Sequence, residues 1–112
     1  MYSKYRRYHR YNVIATALVK TKTQGKRKRL STQVNNISQG GMGLFTTYPL
    51  MKSTPVSIEV SLISMDDNDQ KNVIEGTVAS LVRDKDHYFM GIEFNDVLSH
   101  ESFMRMIKLD YY

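Results

Sequence analysis

A strict alternation of apolar and polar side chains recurs in short runs along the chain, and it restricts the fold more than any other feature. The clearest run alternates two serines and a glutamate with four apolar residues, Val56, Ile58, Val60 and Leu62. Because successive side chains of a strand point to opposite faces, this period of two predicts a strand with one buried face and one solvated face. Shorter runs of the same kind predict a mainly β protein.

Six strands and one short helix are predicted from these runs and from the turn-forming residues between them. The strands are expected at about 12–20, 27–35, 42–47, 56–62, 73–83 and 87–94. Ser99 suits the N-cap of a terminal helix in which Phe103, Met104 and Ile107 recur at helical spacing. The short connections favour a six-stranded antiparallel β-barrel or closed sandwich, with the helix capping one end.

Charge is divided unevenly between the two halves of the chain. Residues 1–58 contain eleven lysines and arginines and no acid, whereas residues 59–112 contain five basic residues and all eleven acids. The halves therefore carry +11 and −6, in agreement with the net charge of +5. A wholly cationic half favours an anionic partner such as a nucleotide, a nucleic acid or an acidic lipid, and the alternative is that the two halves neutralise each other in the folded protein.

Several classes of protein are not indicated by the sequence. The chain has no cysteine, which excludes disulfides and thiolate metal sites. No apolar run approaches the roughly 20 residues that span a bilayer, and residues 13–19 alternate like a strand, so we expect a cytoplasmic protein without membrane insertion. The histidines lack metal-ligand spacing and no nucleophile–base or paired-carboxylate pattern stands out, so we predict no metal, no cofactor and no enzymatic activity.

A polar turn with two glycines lies between the second and third predicted strands, at Asn36-Ile37-Ser38-Gln39-Gly40-Gly41. Asparagine and serine side chains in such a turn bond neighbouring backbone amides or an incoming ligand. Glycine allows a positive φ and lets a ligand approach the backbone closely. Taken alone, the segment is an ordinary bend between two strands.

The first eleven residues are expected to form a flexible arm, and residues 12–112 the barrel and its helix. The arm contains almost no aliphatic side chain, so it should be mobile until something holds it. Arg6 and Arg10 lie four residues apart in it. Guanidinium groups form bidentate bonds with carboxylates, phosphates and the guanine edge, and they stack on π faces. Taken alone, the pair is typical of a solvated basic tail.

The two motifs together, in this order and strand context, resemble the PilZ domain family. That family has an RxxxR arm and a [D/N]xSxxG turn on a six-stranded barrel that binds cyclic di-GMP. Here the motifs read Arg6-x-x-x-Arg10 and Asn36-x-Ser38-x-x-Gly41. Residues 91–94 and the short helix after them are also similar to the end of a PilZ domain, so the resemblance covers nearly the whole chain.

The resemblance implies a set of residues that contact cyclic di-GMP. Arg6 and Arg10 would contact its guanine faces and phosphates, and Asn36 and Ser38 would make polar contacts to guanine and phosphate. Gly41 would permit the close backbone turn. Further candidate contacts are Tyr5, Arg7 and Gly40.

The resemblance also implies a stand-alone bacterial receptor in second-messenger signalling, with motility or biofilm formation as the regulated process. It would bind one cyclic di-GMP or an intercalated pair, order its arm, and regulate a downstream protein in trans. Two alternatives stay open. One is a basic β-barrel that binds single-stranded nucleic acid through residues 26–29 and the tyrosines of the arm. This alternative is the less favoured ligand class. The other is a PilZ-fold protein-interaction module that binds no nucleotide.

Overall fold

The alternating runs form strands that close into a barrel with their apolar side chains inside. The computed structural model describes residues 8–21, 28–62 and 72–107. Its elements are β1 (Tyr11–Thr21), β2 (Arg29–Ile37), β3 (Gly41–Thr46), β4 (Pro55–Leu62), β5 (Asn72–Asp84), β6 (His87–Phe94) and α1 (His100–Ile107). The order around the barrel is β1-β2-β3-β6-β5-β4, and all six pairings are antiparallel. The predicted six-stranded antiparallel barrel is confirmed.

Helix α1 covers one end of the barrel core. Phe103 is 2% exposed and Ile107 is fully buried, and the ring of Phe103 packs on that of Tyr11 at the start of β1 with 5.5 Å between centroids. The helix begins as predicted, because the backbone N–H of Ser102 donates to Ser99 Oγ at 3.1 Å and caps its first turn. In the described ranges, no helix has the length and apolar character needed to cross a membrane.

A β-bulge in β2 decides which face of the barrel Asn36 occupies. Val34 and Asn36 pair with adjacent residues of β3, so Asn35 between them has no β3 partner of its own. Regular alternation would turn both Val34 and Asn36 inward. The extra residue instead turns Asn36 to the outer face and returns Ile37, 1% exposed, to the core.

The bulge also moves a strand boundary away from its predicted place. The second strand was expected over 27–35, with a turn from Asn36 onward, whereas β2 continues to Ile37. The turn is therefore confined to Ser38, Gln39 and Gly40, and Gly41 already belongs to β3. Asn36 thus stands on the barrel wall as a strand residue, and Ser38 lies in the turn.

Candidate functional site

The turn between β2 and β3 is organised around the buried side chain of Ser38. Its backbone N–H donates to the carbonyl of Gly41 at 2.8 Å, and its hydroxyl donates to the same carbonyl at 3.3 Å. The backbone N–H of Gly40 in turn donates to Ser38 Oγ at 3.3 Å. Ser38 is fully buried, so in this structure its hydroxyl shapes the turn, and its direct contact with a ligand stays a prediction.

The same turn is bonded to the segment that leads from β6 into α1. The backbone N–H of Phe94 donates to the carbonyl of Gly40 at 2.9 Å, and that of Leu98 donates to the carbonyl of Gln39 at 2.8 Å. The side-chain amide of Gln39 also donates to the carbonyl of Leu98, at 3.0 Å. The turn is thereby fixed to the end of the barrel that α1 covers.

A row of register neighbours crosses the outer wall of the barrel beside this turn. Each member pairs with the next across β1, β2, β3, β6 and β5. We call it the glycine row, and its members are Asn12, Asn36, Gly43, Gly91 and Ser80. Strand neighbours of its central glycines are fully buried in the core, so these glycine positions face outward. The row has polar side chains towards its ends and two glycines, which have no side chain, in its middle.

Neighbouring side chains lean over both glycines of the row. A Cβ atom at Gly43 would lie 2.5 Å from Cζ of Phe89 and 3.0 Å from Nδ2 of Asn36. A Cβ atom at Gly91 would collide with the hydroxyl of Ser80. The backbone at these two glycines is therefore already covered by the Phe89 ring and the Ser80 side chain, and a larger residue at either position would displace them.

A second row of register neighbours, the aromatic row, lies directly beside the glycine row. Its members pair in the order Gln33, Phe45, Phe89, Val82 across β2, β3, β6 and β5. The rings of Phe45 and Phe89 meet edge to face, with centroids 5.3 Å apart and planes at 63°. Both rings are half-buried on the outer wall, so apolar surface borders the polar row.

A hollow of about 290 Å³ opens on the other side of Phe45, where β1 and β2 pair irregularly. Apolar, amide and hydroxyl side chains line it, contributed by Val13, Ala15, Thr16, Gln33, Val34, Asn35 and Phe45. The bulge at Asn35 thus shapes the wall on both sides of Phe45.

The N-terminal arm joins β1 next to the end of β2, where the Asn36-x-Ser38-x-x-Gly41 motif begins. Tyr11, the first residue of β1, pairs with Ile37, and the exposed Arg10 directly precedes it. Arg10 is therefore the neighbour of Tyr11, and the β2 partner of Tyr11, Ile37, lies between Asn36 and Ser38. The structure brings these three predicted site residues to one end of the wall, together with Gly40 and Gly41. Three other predicted contacts lie outside the described residues: Tyr5, Arg6 and Arg7.

An ion pair on the wall joins the basic half of the chain to the acidic half. Lys20 Nζ on β1 lies 3.0 Å from Glu59 Oε1 on β4, and both side chains are partly exposed. Such pairs contribute little to stability, but this one shows contact between the basic and acidic halves. Of the basic run 26–29, Lys28 and Arg29 are described and both are exposed. Within the described ranges, no group of three or more His, Asp or Glu could hold a metal ion.

Of the two rows, only Asn36 belongs to the sequence motifs, and the glycines and phenylalanines at their centre do not: Gly43, Phe45, Phe89 and Gly91. Gly43 and Phe45 follow Gly41 at intervals of two, which in a strand places all three on one face, so this signal was available in the sequence. Phe89 and Gly91 come from the last strand, and the pairing of β3 with β6 is what places them beside the motif. That pairing is not visible in the sequence.

The family model for the PilZ domain matches residues 4–109, which is nearly the entire chain. The chain belongs to the PilZ domain family. The resemblance found in the two motifs is thereby confirmed, and the glycine and aromatic rows are features of a PilZ barrel wall. The comparison with curated proteins found no match.

Solved PilZ structures share the fold at low sequence identity. YcgR from Escherichia coli in complex with c-di-GMP has a TM-score of 0.68 and 21% identity, over 92% of this chain and 44% of that chain. The Bacillus subtilis inhibitor of motility MotI has a TM-score of 0.67 and 14% identity, over 92% of this chain and 48% of that chain. The PilZ domain of YcgR with c-di-GMP has a TM-score of 0.62 and 18% identity, over 92% and 86%. The chain spans about half the length of the first two proteins.

Proposed function

We propose that this PilZ protein is a receptor for cyclic di-GMP, which binds on the outer wall between the arm and the glycine row. The observation that carries the proposal is the convergence of Arg10, Asn36 and the Ser38 turn at one end of that wall. Family membership and the YcgR structures that contain c-di-GMP support the same ligand.

The chemistry of the wall suits a dianionic dinucleotide. Cyclic di-GMP presents two phosphates and two guanines, and arginine bonds both groups in bidentate fashion where lysine acts as a point charge. Arg10 would supply such a group at the edge of the barrel, and Arg6 would supply a second. Asn36 would offer its amide from the wall beside Gly43.

The proposed output is an ordered arm that a second protein recognises in trans. Binding would hold residues 1–11 against the barrel and change the surface that the protein presents, driven by the higher affinity of the ligand for the closed arm. The ligand would be bound and released without conversion, in the cytoplasm. Protection of the arm from limited proteolysis by saturating cyclic di-GMP is the expected signature, and unchanged cleavage would contradict the ordering step.

Isothermal titration with cyclic di-GMP tests the receptor proposal. We expect tight binding by the wild-type chain and its loss in Arg6→Ala and Arg10→Ala, with a stoichiometry that distinguishes one ligand from an intercalated pair. Arg29→Ala is the matched control, because Arg29 is exposed at the opposite end of β2, roughly 26 Å of strand away from Ile37.

The absence of heat at high micromolar ligand would contradict the receptor proposal. A parallel titration with single-stranded oligonucleotides covers the alternative binding class. Affinity that grows with oligonucleotide length and falls steeply with salt would favour a nucleic-acid-binding barrel instead.

A further inference from the structure

We propose that Phe89, supported by Phe45, is a stacking platform for one guanine base of the ligand, and thus a specificity-determining residue outside the two motifs. The inference rests on the proposed function, since it assigns a place on the barrel wall to part of the proposed ligand. Three observations support it: the position of the Phe89 ring, the polar group beside the ring and the contacts that hold it.

The ring of Phe89 lies where a ligand on the glycine row would have to pass. Phe89 belongs to the aromatic row, yet its Cζ and Cε2 atoms lie 2.5 and 3.0 Å from the point that a Cβ atom of Gly43 would occupy. The ring therefore leans across the strand direction and covers Gly43 of the neighbouring row. A ligand that reaches Gly43 contacts this ring or displaces it.

The carboxamide of Asn36 lies beside the Phe89 ring, above Gly43. Nδ2 of Asn36 lies 3.0 Å from the same Cβ point above Gly43. An aromatic ring and a carboxamide that lie side by side on the wall suit a planar heterocycle, which can stack on the exposed part of the ring while its polar edge meets the amide. A purine offers both the large face and the edge, whereas a phosphate group offers no face to stack. The base, not the phosphate, is therefore the group placed here.

The Phe89 ring is held in place by its neighbours before any ligand binds. The edge-to-face contact with Phe45, at a centroid distance of 5.3 Å, and the pairing of the two residues across β3 and β6 restrict the Phe89 ring. Its side chain is half-buried on the outer wall, so part of the ring is in contact with solvent. A base that covers it removes apolar surface from water with little ordering of the protein, which favours binding.

Titration of two Phe89 variants with cyclic di-GMP tests the platform. Phe89→Leu keeps an apolar side chain over Gly43 but removes the π face, and we expect a loss of affinity on the order of ten- to a hundredfold. Phe89→Trp keeps a π face and should retain most of the affinity. Val73→Leu is the matched control, because Val73 is 55% exposed and pairs with Glu59 of β4, outside both rows, and it should bind as the wild type does.

Proton NMR of the wild-type complex gives a readout that a purely structural role would not produce. We expect an upfield ring-current shift of one guanine H8 and nuclear Overhauser contacts from that base to the Phe89 ring protons. These contacts are measured on the unmodified protein, so they decide the proposal even where a variant fails to fold.

The outcomes separate the two proposals. Wild-type binding together with an unchanged affinity in Phe89→Leu, or with no base-to-Phe89 contacts, would overturn the platform and leave the receptor proposal standing. No binding by the wild-type chain would overturn both, since there would then be no ligand base to place.

Discussion

Adjacent asparagines on β2 have different surroundings, and this difference predicts different effects of substitution. Asn36 adjoins Gly43 in the glycine row, whereas Asn35 occupies the bulge and lines the hollow. We expect Asn36→Ala to weaken cyclic di-GMP binding by roughly 1–2 kcal/mol, the order of a lost hydrogen bond with its desolvation cost. Asn35→Ala should stay within a factor of about two. Calorimetric titration measures both, and equal losses would contradict the assignment of Asn36 to the ligand-facing wall.

Ser38 is expected to matter for stability because its hydroxyl is bonded inside the turn. Ser38→Ala leaves the backbone N–H of Gly40 without its acceptor in a buried place, so the free energy of unfolding should fall by roughly 1–3 kcal/mol. Ser31→Ala, at an exposed position of β2, should change it by less than about 0.5 kcal/mol. Urea denaturation compares the two variants, and similar midpoints would show that the turn does not depend on the hydroxyl.

Single residues also show how far the sequence could predict the site. Asn36, Ser38 and Gly41 are close in the chain, so their spacing alone marks a motif. Phe89 and Gly91 are about fifty residues away, and only the register between β3 and β6 brings them next to Gly43 and Phe45. Local spacing therefore predicts the turn, whereas the glycine and aromatic rows depend on a pairing between distant strands.

At the scale of elements, strand existence was predictable and the bulge in β2 was not. Alternation is unambiguous in β4, where apolar and polar residues strictly alternate, and its predicted bounds differ from the structure by one residue. In β2 the bulge falls at Asn35 and Asn36, which have the same side chain. Because two identical polar residues show no change of phase, the pattern cannot reveal which of them is the extra residue of the bulge.

The contact between helix α1 and the barrel is expected to contribute strongly to the stability of the folded protein. Phe103→Ala removes a ring that is 2% exposed between the helix and Tyr11, so unfolding should become easier by about 3–5 kcal/mol. Ser102→Ala, at the exposed neighbouring position, should have an effect below about 0.5 kcal/mol. Chemical denaturation provides the measurement. A loss below 1 kcal/mol for Phe103→Ala would mean that the barrel is stable without the helix contact.

At the scale of the whole molecule, ligand binding should appear as a rise in melting temperature. A ligand that binds only the folded chain stabilises it by about 2.7 kcal/mol at a free concentration 100 times its Kd. For a domain of 112 residues, this corresponds to a shift on the order of 10 °C. Scanning calorimetry with and without cyclic di-GMP measures it, with GMP at the same concentration as control. An equal shift with GMP would contradict selectivity for the cyclic dinucleotide.

Because the barrel is closed and antiparallel, it requires an even number of strands, and this limits how the fold can change in evolution. Every neighbouring pair among the six strands of the described residues is antiparallel, and directions can alternate around a closed ring only when the number of strands is even. Loss or gain of one strand would force a parallel contact or open the ring and expose two edges. Descendants of this chain are therefore expected to change by whole hairpins or by loop length, while the wall that carries the two rows keeps its neighbours.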